Sequence, residues 1–504
     1  ILFGTPTIVG EALKPIWDLT TSIFAGTHGG KLASAFGSYG WSGEGVPHII
    51  ERLKQLRMRV ADGFRVRFKP GEDNLIDAFD YGYNFGCILQ NKENKRAEKS
   101  GARQLVKCLV CGEIFDSSLE VCPVCGVGKE NFVPVYAQES EFSNDTKDFY
   151  VILGNGTAGW NAAAEIRKRN KTASILMISN EPYRTYNRPM LTKSIMADLD
   201  EEQIAVQNAG WYEQVLDMEV VAIHPETKEI ELEGGLKFVY TKLIYALGSE
   251  CFIPPIAGAE KKGVIAIRRL DDTKKVAAML PDVEHVVVIG GVLGLEAAWE
   301  LKKAGCQVTV LEAACQLMGR QLDDAAGEML KHISEQQGVQ IYTGVSIASI
   351  DGEDNVTGVT LADGRTFPAE LVIVSAGVRA NTVLAKTAGI EVDRAVIVNS
   401  KMETNVPDIY ACGDCAQYDG LNYAIWPEAS EQGKVAGANA AGEEMEYETV
   451  PAALSVHGMR TALFAAGDNG KNPNLVYKTI ELKDMGKKQY QKYYFLNNRL
   501  CGVI

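Results

Sequence analysis

Four cysteines arranged in two C-x-x-C pairs carry the clearest chemical signal in this sequence. The stretch CLVCGEIFDSSLEVCPVCG, residues 108–126, holds both pairs, and a glycine follows each pair. Four thiolates with this spacing can surround one metal ion tetrahedrally. Zinc and iron both accept four thiolates, so the spacing alone leaves the metal open. The candidate ligands are Cys108, Cys111, Cys122 and Cys125.

A glycine-rich turn between an apolar strand and an alanine-rich helix gives a second signal. In FYVILGNGTAGWNAAAEIRKRN, the pattern G-x-G-x-x-G consists of Gly154, Gly156 and Gly159. Between a strand and a helix, such glycines allow a tight turn, close approach of a pyrophosphate and close helix–strand packing. A second strand is expected at 175–179. Beyond it, Glu181 is the candidate partner of a ribose 2′-hydroxyl.

The same plan recurs in HVVVIGGVLGLEAAWELKKAGCQVTVLEA. Its turn contains Gly290, Gly291 and Gly294, and Glu312 ends its second strand. Compared with the first turn, either Ile289 stands where the first glycine belongs, or this turn is one residue shorter. Glu312 stands about 20 positions after the turn, where a carboxylate accepts hydrogen bonds from ribose hydroxyls and repels a 2′-phosphate. Alanines rather than arginine follow it, so the sequence favours NADH over NADPH.

The segment PYRTYNRPMLTKS resembles part of the two-dinucleotide flavoprotein reductases, the NADH:rubredoxin and ferredoxin reductase type. The resemblance implies that Arg188 and Lys193 lie beside FAD, and a lysine cation there would stabilise the anionic reduced flavin. It extends to IYACGDCAQYDG, where Gly413 and Asp414 would contact the ribityl and phosphate region. In WPEASEQGKVAGANAAG, Trp426 would border the flavin ring.

The segment SAGVRAN, with Gly377, is similar to the segment in these reductases where the chain passes from the NAD domain back into the FAD domain. Two nucleotide-binding units in this order indicate hydride transfer from NADH to FAD. A redox dithiol is a competing use of Cys412 and Cys415. The intervening Gly-Asp is already explained by flavin binding, and NRPMLTKS contains no cysteine, which disfavours an NADH peroxidase.

The cysteine segment, continued by KENF, resembles a short rubredoxin-like module. That resemblance implies one iron that cycles between ferric and ferrous states, whereas zinc would act only as a staple of the fold. Upstream, FGTPT and AFGSYGWSGEGV resemble the flavodoxin-like domain of flavodiiron proteins, whose loops enclose FMN. The positions that correspond to those loops are Thr5, Pro6, Thr7, Ser38, Tyr39, Gly40 and Trp41.

The expected fold class is multidomain α/β. It combines a partial flavodoxin-like doubly wound sheet, a small rubredoxin-like metal-knuckle domain, two Rossmann-like FAD/NAD-binding domains and a small C-terminal α+β domain. The expected boundaries are 1–89 for the partial flavodoxin-like FMN domain, 90–104 for a linker, 105–137 for the rubredoxin-like iron domain, 138–148 for a second linker, 149–260 with 375–448 for the FAD-binding domain, 261–374 for the NAD-binding domain and 449–504 for an incomplete C-terminal reductase domain.

Composition excludes several classes of function. A net charge of -14 argues against a nucleic-acid partner. No run reaches the ~18 apolar residues of a membrane helix. The 11 cysteines do not resemble a secreted disulfide framework, so a cytoplasmic location is expected. The six histidines are dispersed, so no di-iron site is expected in this chain. Both termini are expected to be clipped, which would leave the FMN site incomplete.

Together the segments resemble the C-terminal portion of a multidomain flavodiiron protein fused to rubredoxin and an NADH:rubredoxin reductase. This predicts electron flow from NADH to FAD, to Fe(Cys)4 and to FMN. A di-iron module outside this chain would then reduce O2 or NO. One alternative is a stand-alone NADH-dependent reductase with an external protein acceptor. Another is a zinc-stabilised scaffold with an interaction role, and assembly as a homo-oligomer stays open.

Overall fold

The computed structural model describes residues 1–8, 11–39, 44–67, 72–90, 105–108, 114–116, 119–122, 128–129, 132–135, 142–193, 195, 212–449, 453–484 and 486–504. The chain forms two compact units. The first consists of Ile1–Cys122 and Gly126–Ala137, and the second of Pro123–Cys125 and Gln138–Ile504. In the part of the chain described, no helix is long and apolar enough to cross a membrane.

The first unit begins with a parallel sheet packed against helices. Strand β4 is the central strand, and β1, β5 and β6 pair with it in parallel. The buried face of α3, with Ile49 and Leu53, packs against Ala33 and Ala35 of β4. The elements are β1 (Leu2–Gly4), β2 (Thr7–Ile8), β3 (Glu11–Ala12), α1 (Lys14–Thr21), α2 (Ala25–His28), β4 (Leu32–Tyr39), α3 (Gly45–Gln55), β5 (Arg59–Val60), β6 (Phe64–Arg67) and α4 (Glu72–Gln90).

The cysteine segment folds as a small antiparallel sheet within the same unit. Strand β7 (Leu105–Cys108) pairs with both β8 (Ile114–Asp116) and β9 (Phe132–Val135). Cys108 ends β7 and is fully buried, and Cys122 is almost fully buried. Cys111 and Cys125 lie outside the described residues, so the four-thiolate site stays a prediction.

The second unit contains two parallel sheets, each built on one of the glycine-turn motifs. One has the strand order β12-β11-β10-β16-β28 and the other β18-β25-β19-β20-β21. The strands are β10 (Phe149–Leu153), β11 (Ser174–Ile178), β12 (Glu213–Val215), β13 (Val220–His224), β14 (Glu229–Leu232), β15 (Lys237–Val239), β16 (Lys242–Tyr245), β17 (Ser249–Cys251), β18 (Val264–Ile265), β19 (His285–Ile289), β20 (Gln307–Glu312), β21 (Gln340–Thr343), β22 (Ile347–Asp351), β23 (Gly358–Leu361), β24 (Thr366–Pro368), β25 (Leu371–Val374), β26 (Val378–Ala380), β27 (Val396–Val398), β28 (Ile409–Ala411) and β29 (Ala416–Tyr418).

The second unit also contains six helices among its described residues, two of which pack closely on each other through small residues. The helices are α5 (Thr157–Arg169), α6 (Leu270–Met279), α7 (Val292–Lys303), α8 (Asp324–Gln336), α9 (Val383–Thr387) and α10 (Trp426–Ala440). Gly433 and Gly437 of α10 face the backbone of α5, where a Cβ atom would lie only 2.3 Å and 2.4 Å from carbonyl oxygens. The glycines therefore let α10 pack directly on the helix that follows the first glycine turn.

An antiparallel sheet closes the chain and packs on the second parallel sheet. Its order is β30-β31-β34-β33-β32, from β30 (Ala453–Gly458), β31 (Thr461–Gly467), β32 (Lys478–Asp484), β33 (Gln489–Leu496) and β34 (Arg499–Val503). One hydrophobic core contains Leu295 and Leu301 of α7 together with Val456 and Tyr494 of this sheet. The C-terminal sheet and the second parallel sheet therefore share a core.

Residues 142–148 are the described part of the second predicted linker. They are anchored to the part of the second unit that contains the β10 sheet. Asn144 donates a side-chain hydrogen bond to the carbonyl of Ala441 at 3.1 Å. The amide of Asn170 donates to the Thr146 hydroxyl at 2.8 Å. This part of the segment has no helix or strand, but its path is fixed by these contacts.

Candidate active site

The first glycine turn is shaped by backbone contacts that exclude a side chain at two of its positions. Gly154 has φ of +102°, and a Cβ there would lie 2.2 Å from the carbonyl oxygen of Ala246. At Gly159 a Cβ would lie 2.1 Å from the carbonyl oxygen of Gly154. Gly156, the N-cap of α5, has no atom within 4 Å of its Cβ position. The turn thus leaves open space at a helix N-terminus, which suits the pyrophosphate of FAD.

Strand register shows which residues occupy equivalent positions in the two nucleotide-binding units. Leu153 pairs with Ile178 in the first sheet, and Ile289 pairs with Leu311 in the second. The residue after Ile178 is Ser179, and this position is the one that Glu312 occupies in the second unit. Glu181 comes two residues later, so its predicted contact with a ribose stays a prediction.

The Glu181 carboxylate lies in a buried network inside the protein. It accepts a hydrogen bond from the Tyr186 hydroxyl at 2.7 Å and forms an ion pair with Arg188. The Arg188 guanidinium also donates to the Tyr186 hydroxyl at 2.8 Å and to the carbonyl of Arg268 at 2.9 Å. Burial raises the pKa of Tyr186, so its hydroxyl stays protonated. Arg188 therefore ties the predicted flavin loop, residues 182–193, to the segment just before α6.

Lys193 faces a carboxylate from the second nucleotide-binding unit. Its Nζ lies 3.6 Å from Oε1 of Glu296 on α7, and the Thr192 hydroxyl donates to Oε2 at 2.8 Å. Burial raises the pKa of Glu296, while Lys193 and Thr192 act in the opposite direction. Both side chains of the ion pair are largely buried. The sequence interpretation missed Glu296, although its place in the apolar run LGLEAAW was a usable signal.

The Gly-Asp motif lies at a second buried polar cluster. Gly413 has φ of +81°, and its N–H donates to the side-chain oxygen of Gln432 at 2.9 Å. The Asp414 carboxylate accepts hydrogen bonds from the Ser249 hydroxyl at 2.7 Å and from Arg268 at 2.8 Å. The sequence interpretation did not link Ser249 or Arg268 to this motif, because both lie more than a hundred positions from it. Trp426 begins α10, the helix that contacts this motif.

The cysteines on either side of that motif are core residues in the structure. Cys412 and Cys415 have no exposed surface, and the Cys415 thiol faces the carbonyl oxygens of Cys412 and Tyr245. Burial raises the pKa of both thiols, that of Cys415 to about 12. A protonated and enclosed thiol is a poor nucleophile. The structure therefore gives no support to the redox-dithiol alternative.

The second glycine turn is one residue shorter than the first. The Gly290 N–H donates to the Leu311 carbonyl at 2.9 Å, as the first glycine of the other turn does to its own second strand. Helix α7 then begins at Val292, directly after Gly291. Gly291 has φ of +73°, and a Cβ there would lie 2.1 Å from the carbonyl oxygen of Ser375. The strand ends match, so the missing residue belongs to the turn.

A cavity of about 1160 Å³ opens beside this turn. Its lining includes Gly290 and Gly291, Glu312, the loop that follows Glu312 and Gly377 of the return segment. Oε1 of Glu312 accepts the N–H of Ala314 at 2.9 Å, which fixes the carboxylate at the cavity wall. Gly294 lets α7 pack closely on β19 next to the cavity, because a Cβ there would lie 3.0 Å from Val288. Volume, turn and carboxylate together fit a dinucleotide.

The residues predicted to hold FMN have local structural partners. The Thr5 hydroxyl accepts the N–H of Leu13 at 3.0 Å, and the Thr7 hydroxyl accepts the N–H of Gly45 at 3.1 Å. Pro6 lies between these threonines. Ser38 and Tyr39 end β4, and Tyr39 is buried. Gly40 and Trp41 lie outside the described residues, so the FMN site stays a prediction.

A family model for pyridine nucleotide-disulphide oxidoreductases matches residues 149–433. The chain belongs to this family. The matched range contains both glycine turns, the Lys193–Glu296 pair and the Asp414 cluster.

Known relatives agree with this assignment. The chain is 36% identical over 364 residues to the nitrite reductase [NAD(P)H] of Bacillus subtilis, a match that covers 70% of this chain and 45% of that protein. It is 30% identical over 322 residues to the rubredoxin-NAD(+) reductase of Acinetobacter baylyi, covering 60% of this chain and 81% of that protein. The crystal structure of NADH:rubredoxin oxidoreductase from Clostridium acetobutylicum superposes with a TM-score of 0.58 at 26% identity, covering 71% of this chain and 91% of that chain. The chain spans about half the length of the first curated relatives that it matches.

Proposed function

We propose that this protein is an NADH-dependent flavoprotein reductase that passes electrons to a separate one-electron carrier protein. Two observations together carry the proposal. The chain has two glycine turns, each at a strand-to-helix junction of a parallel sheet. Lys193 from one nucleotide-binding unit lies against Glu296 from the other. The family assignment and the rubredoxin-reductase relatives support it. When bound, FAD would accept a hydride from NADH and return single electrons to an acceptor.

The protein's own groups would bind and orient the two nucleotides. The N-terminus of α5 and the open position at Gly156 would hold the FAD pyrophosphate. Lys193 would place a positive charge where the reduced flavin gains negative charge, and Glu296 would hold that lysine in position. In the cavity, Glu312 would accept ribose hydroxyls and disfavour NADPH.

A carrier assay tests this function. The full chain, loaded with FAD under anaerobic conditions, should reduce a rubredoxin or a plant-type ferredoxin with NADH, and much more slowly with NADPH. In a Glu312→Ala variant, the ratio of the rate with NADH to the rate with NADPH should fall by about tenfold or more, because the charge that repels a 2′-phosphate is gone. Absence of carrier reduction by the wild-type protein, despite a full complement of FAD, would contradict the proposal.

A second candidate places the first acceptor in the same chain. Cys108 and Cys122, one from each C-x-x-C pair, are both buried in the first unit, as expected for a site that excludes water from its metal. In this version, electrons would pass from FAD to Fe(Cys)4 and then to FMN. A di-iron module beyond this chain would reduce O2 or NO.

Metal analysis separates this candidate from a zinc-stabilised scaffold. The relay predicts about one iron per chain and a visible iron-thiolate band that NADH bleaches after the flavin band. Cys108→Ser and Cys122→Ser should each remove both the metal and the band. Zinc in place of iron would rule out the internal relay and leave the external-carrier function intact, because zinc has no accessible second oxidation state.

A further inference from the structure

The wall of the nucleotide cavity beyond Glu312 is a loop without helix or strand. Residues 313–323 connect β20 to α8, and the cavity is lined by Ala313 through Gln321 of this loop. Part of the loop is held from within, because the Gln316 amide donates to the Leu322 carbonyl at 3.1 Å. Its main-chain carbonyls at 319–322 make further contacts with a distant segment.

That segment is the turn after β31 in the C-terminal sheet. The Asn469 side-chain amide donates to the carbonyl of Arg320 at 3.1 Å and lies 3.4 Å and 3.5 Å from those of Leu322 and Gly319. Lys471 forms an ion pair with Asp324 at 3.0 Å. Asn469 is thus a single donor group placed among three carbonyl oxygens of the cavity-lining loop.

The end of the same loop is fixed by a buried carboxylate. Oδ1 of Asp323 accepts the N–H of Ala326 at the start of α8, at 2.9 Å. Its Oδ2 accepts the hydroxyls of Tyr490 at 2.5 Å and of Tyr494 at 2.7 Å, and lies 3.2 Å from Nζ of Lys492. Burial alone would raise the pKa of Asp323, but the hydrogen bonds, led by that from Tyr490, hold it below its ordinary value. The C-terminal sheet therefore also holds the end of the loop, at Asp323.

The turn that carries Asn469 is itself rigid. Gly467 and Gly470 have φ of +69° and +76°, and a Cβ at Gly470 would lie 2.3 Å from the ring of Tyr494. The ring that packs on this turn is the one whose hydroxyl binds Asp323. Both points of attachment are therefore coupled through one buried tyrosine.

We propose that Asn469 and the Asp323–Tyr494 pair are positioning residues for the adenosine half of the dinucleotide. The C-terminal sheet would fix the loop beside Glu312 in the shape that admits this half. The proposal rests on the proposed function for the identity of the ligand, but its test reads binding directly and does not require electron transfer.

The test measures binding of ADP-ribose to the full chain loaded with FAD by calorimetry, together with the KM for NADH. Asn469→Ala should weaken ADP-ribose binding by about fivefold, the value of one net hydrogen bond, and raise the KM with little change in kcat. Asn469→Asp, which has the same size but cannot donate, should weaken binding further because it places a carboxylate among carbonyl oxygens. If Asn469 acted only by packing, the alanine variant should bind ADP-ribose more weakly than the aspartate variant.

Asn472→Ala is the matched control, because this exposed residue lies in the same segment and its side chain accepts only the N–H of Asn474 in the contacts described. It should bind ADP-ribose like the wild type. Tyr494→Phe tests the second attachment and should weaken binding with FAD content unchanged. Wild-type affinity in both Asn469 variants would overturn the proposal. Failure of the wild-type protein to oxidise NADH, with ADP-ribose binding intact, would count against the proposed function alone.

Discussion

At the scale of single residues, charge compensation across long sequence distances organises the site. Lys193 meets Glu296, and Arg268 meets Asp414, in each case within a largely buried setting. A buried charge without its partner costs several kcal/mol. Each pair therefore stabilises the contact between its elements and, in the proposed function, holds a cofactor-binding group in position.

Replacing Lys193 with Met should separate these two roles. Hydride transfer from NADH to FAD should slow by about 100-fold, since the variant lacks the charge that we propose to stabilise the reduced flavin. The same change should lower the free energy of unfolding by about 3 kcal/mol, because Glu296 loses its cation. Stopped-flow flavin reduction and urea unfolding measure the two effects.

The double variant Lys193→Met/Glu296→Gln is the control for this experiment. It should recover most of the lost stability, since no charge stays buried alone, while the rate stays low. Recovery of the rate together with the stability would show that Lys193 has only a structural role.

Glu428 should make the stability of the folded protein depend on pH near neutrality. It lies in the first turn of α10 and accepts the N–H of Tyr423 at 3.0 Å, and burial raises its pKa to about 7. The folded state holds this proton more tightly than the unfolded chain. The stability from this group is therefore full below its ordinary pKa of 4.5 and is lost as the pH rises through about 7.

A Glu428→Gln variant should remove this dependence. Relative to the wild type, the variant should gain on the order of 2 kcal/mol of stability between about pH 5 and about pH 8. Urea unfolding of the apoprotein at both pH values measures the difference. Parallel pH profiles for the two proteins would contradict the assignment.

At the scale of elements, the two strand–turn–helix units could be predicted from sequence because their information is local. Glycines at fixed spacing between an apolar strand and a helix define the turn, and the structure has β10, α5 and β11 where the pattern indicates them. The pairing of Lys193 with Glu296 could not be predicted, since no local pattern joins a loop to a helix about a hundred residues later. The same holds for Asn469 and the loop after Glu312.

Two alanine substitutions in the first turn should differ in their effect on the free energy of unfolding. Gly154→Ala should lower the free energy of unfolding by about 2–4 kcal/mol, because it places a Cβ at φ of +102° and 2.2 Å from a carbonyl oxygen. Gly156→Ala should leave the apoprotein nearly as stable as the wild type, because its φ of -74° is ordinary and no atom lies within 4 Å.

Both variants should nevertheless lose FAD, the first through a distorted turn and the second through a methyl group in the path of the pyrophosphate. Flavin titration of the apoproteins, alongside chemical denaturation, tests this. Wild-type FAD affinity in Gly156→Ala would contradict the placement of the pyrophosphate at the N-terminus of α5.

At the scale of the whole molecule, the second unit packs its C-terminal sheet against the second nucleotide-binding sheet and its helix α7. The core shared by α7 and the C-terminal sheet also includes Tyr186 and Leu191 from the predicted flavin loop. The sequence indicated both nucleotide-binding units, but it did not indicate that the last domain would reach the nucleotide cavity. Such contacts depend on tertiary packing between segments far apart in the chain.

The central claim is that NADH reduces a flavin held by the second unit. The most direct measurement is anaerobic titration of the FAD-loaded chain with NADH, followed through the visible flavin absorbance. We expect stoichiometric bleaching with one NADH per FAD, and much slower bleaching with NADPH. A flavin that stays oxidised in the presence of excess NADH would show that NADH does not reduce it.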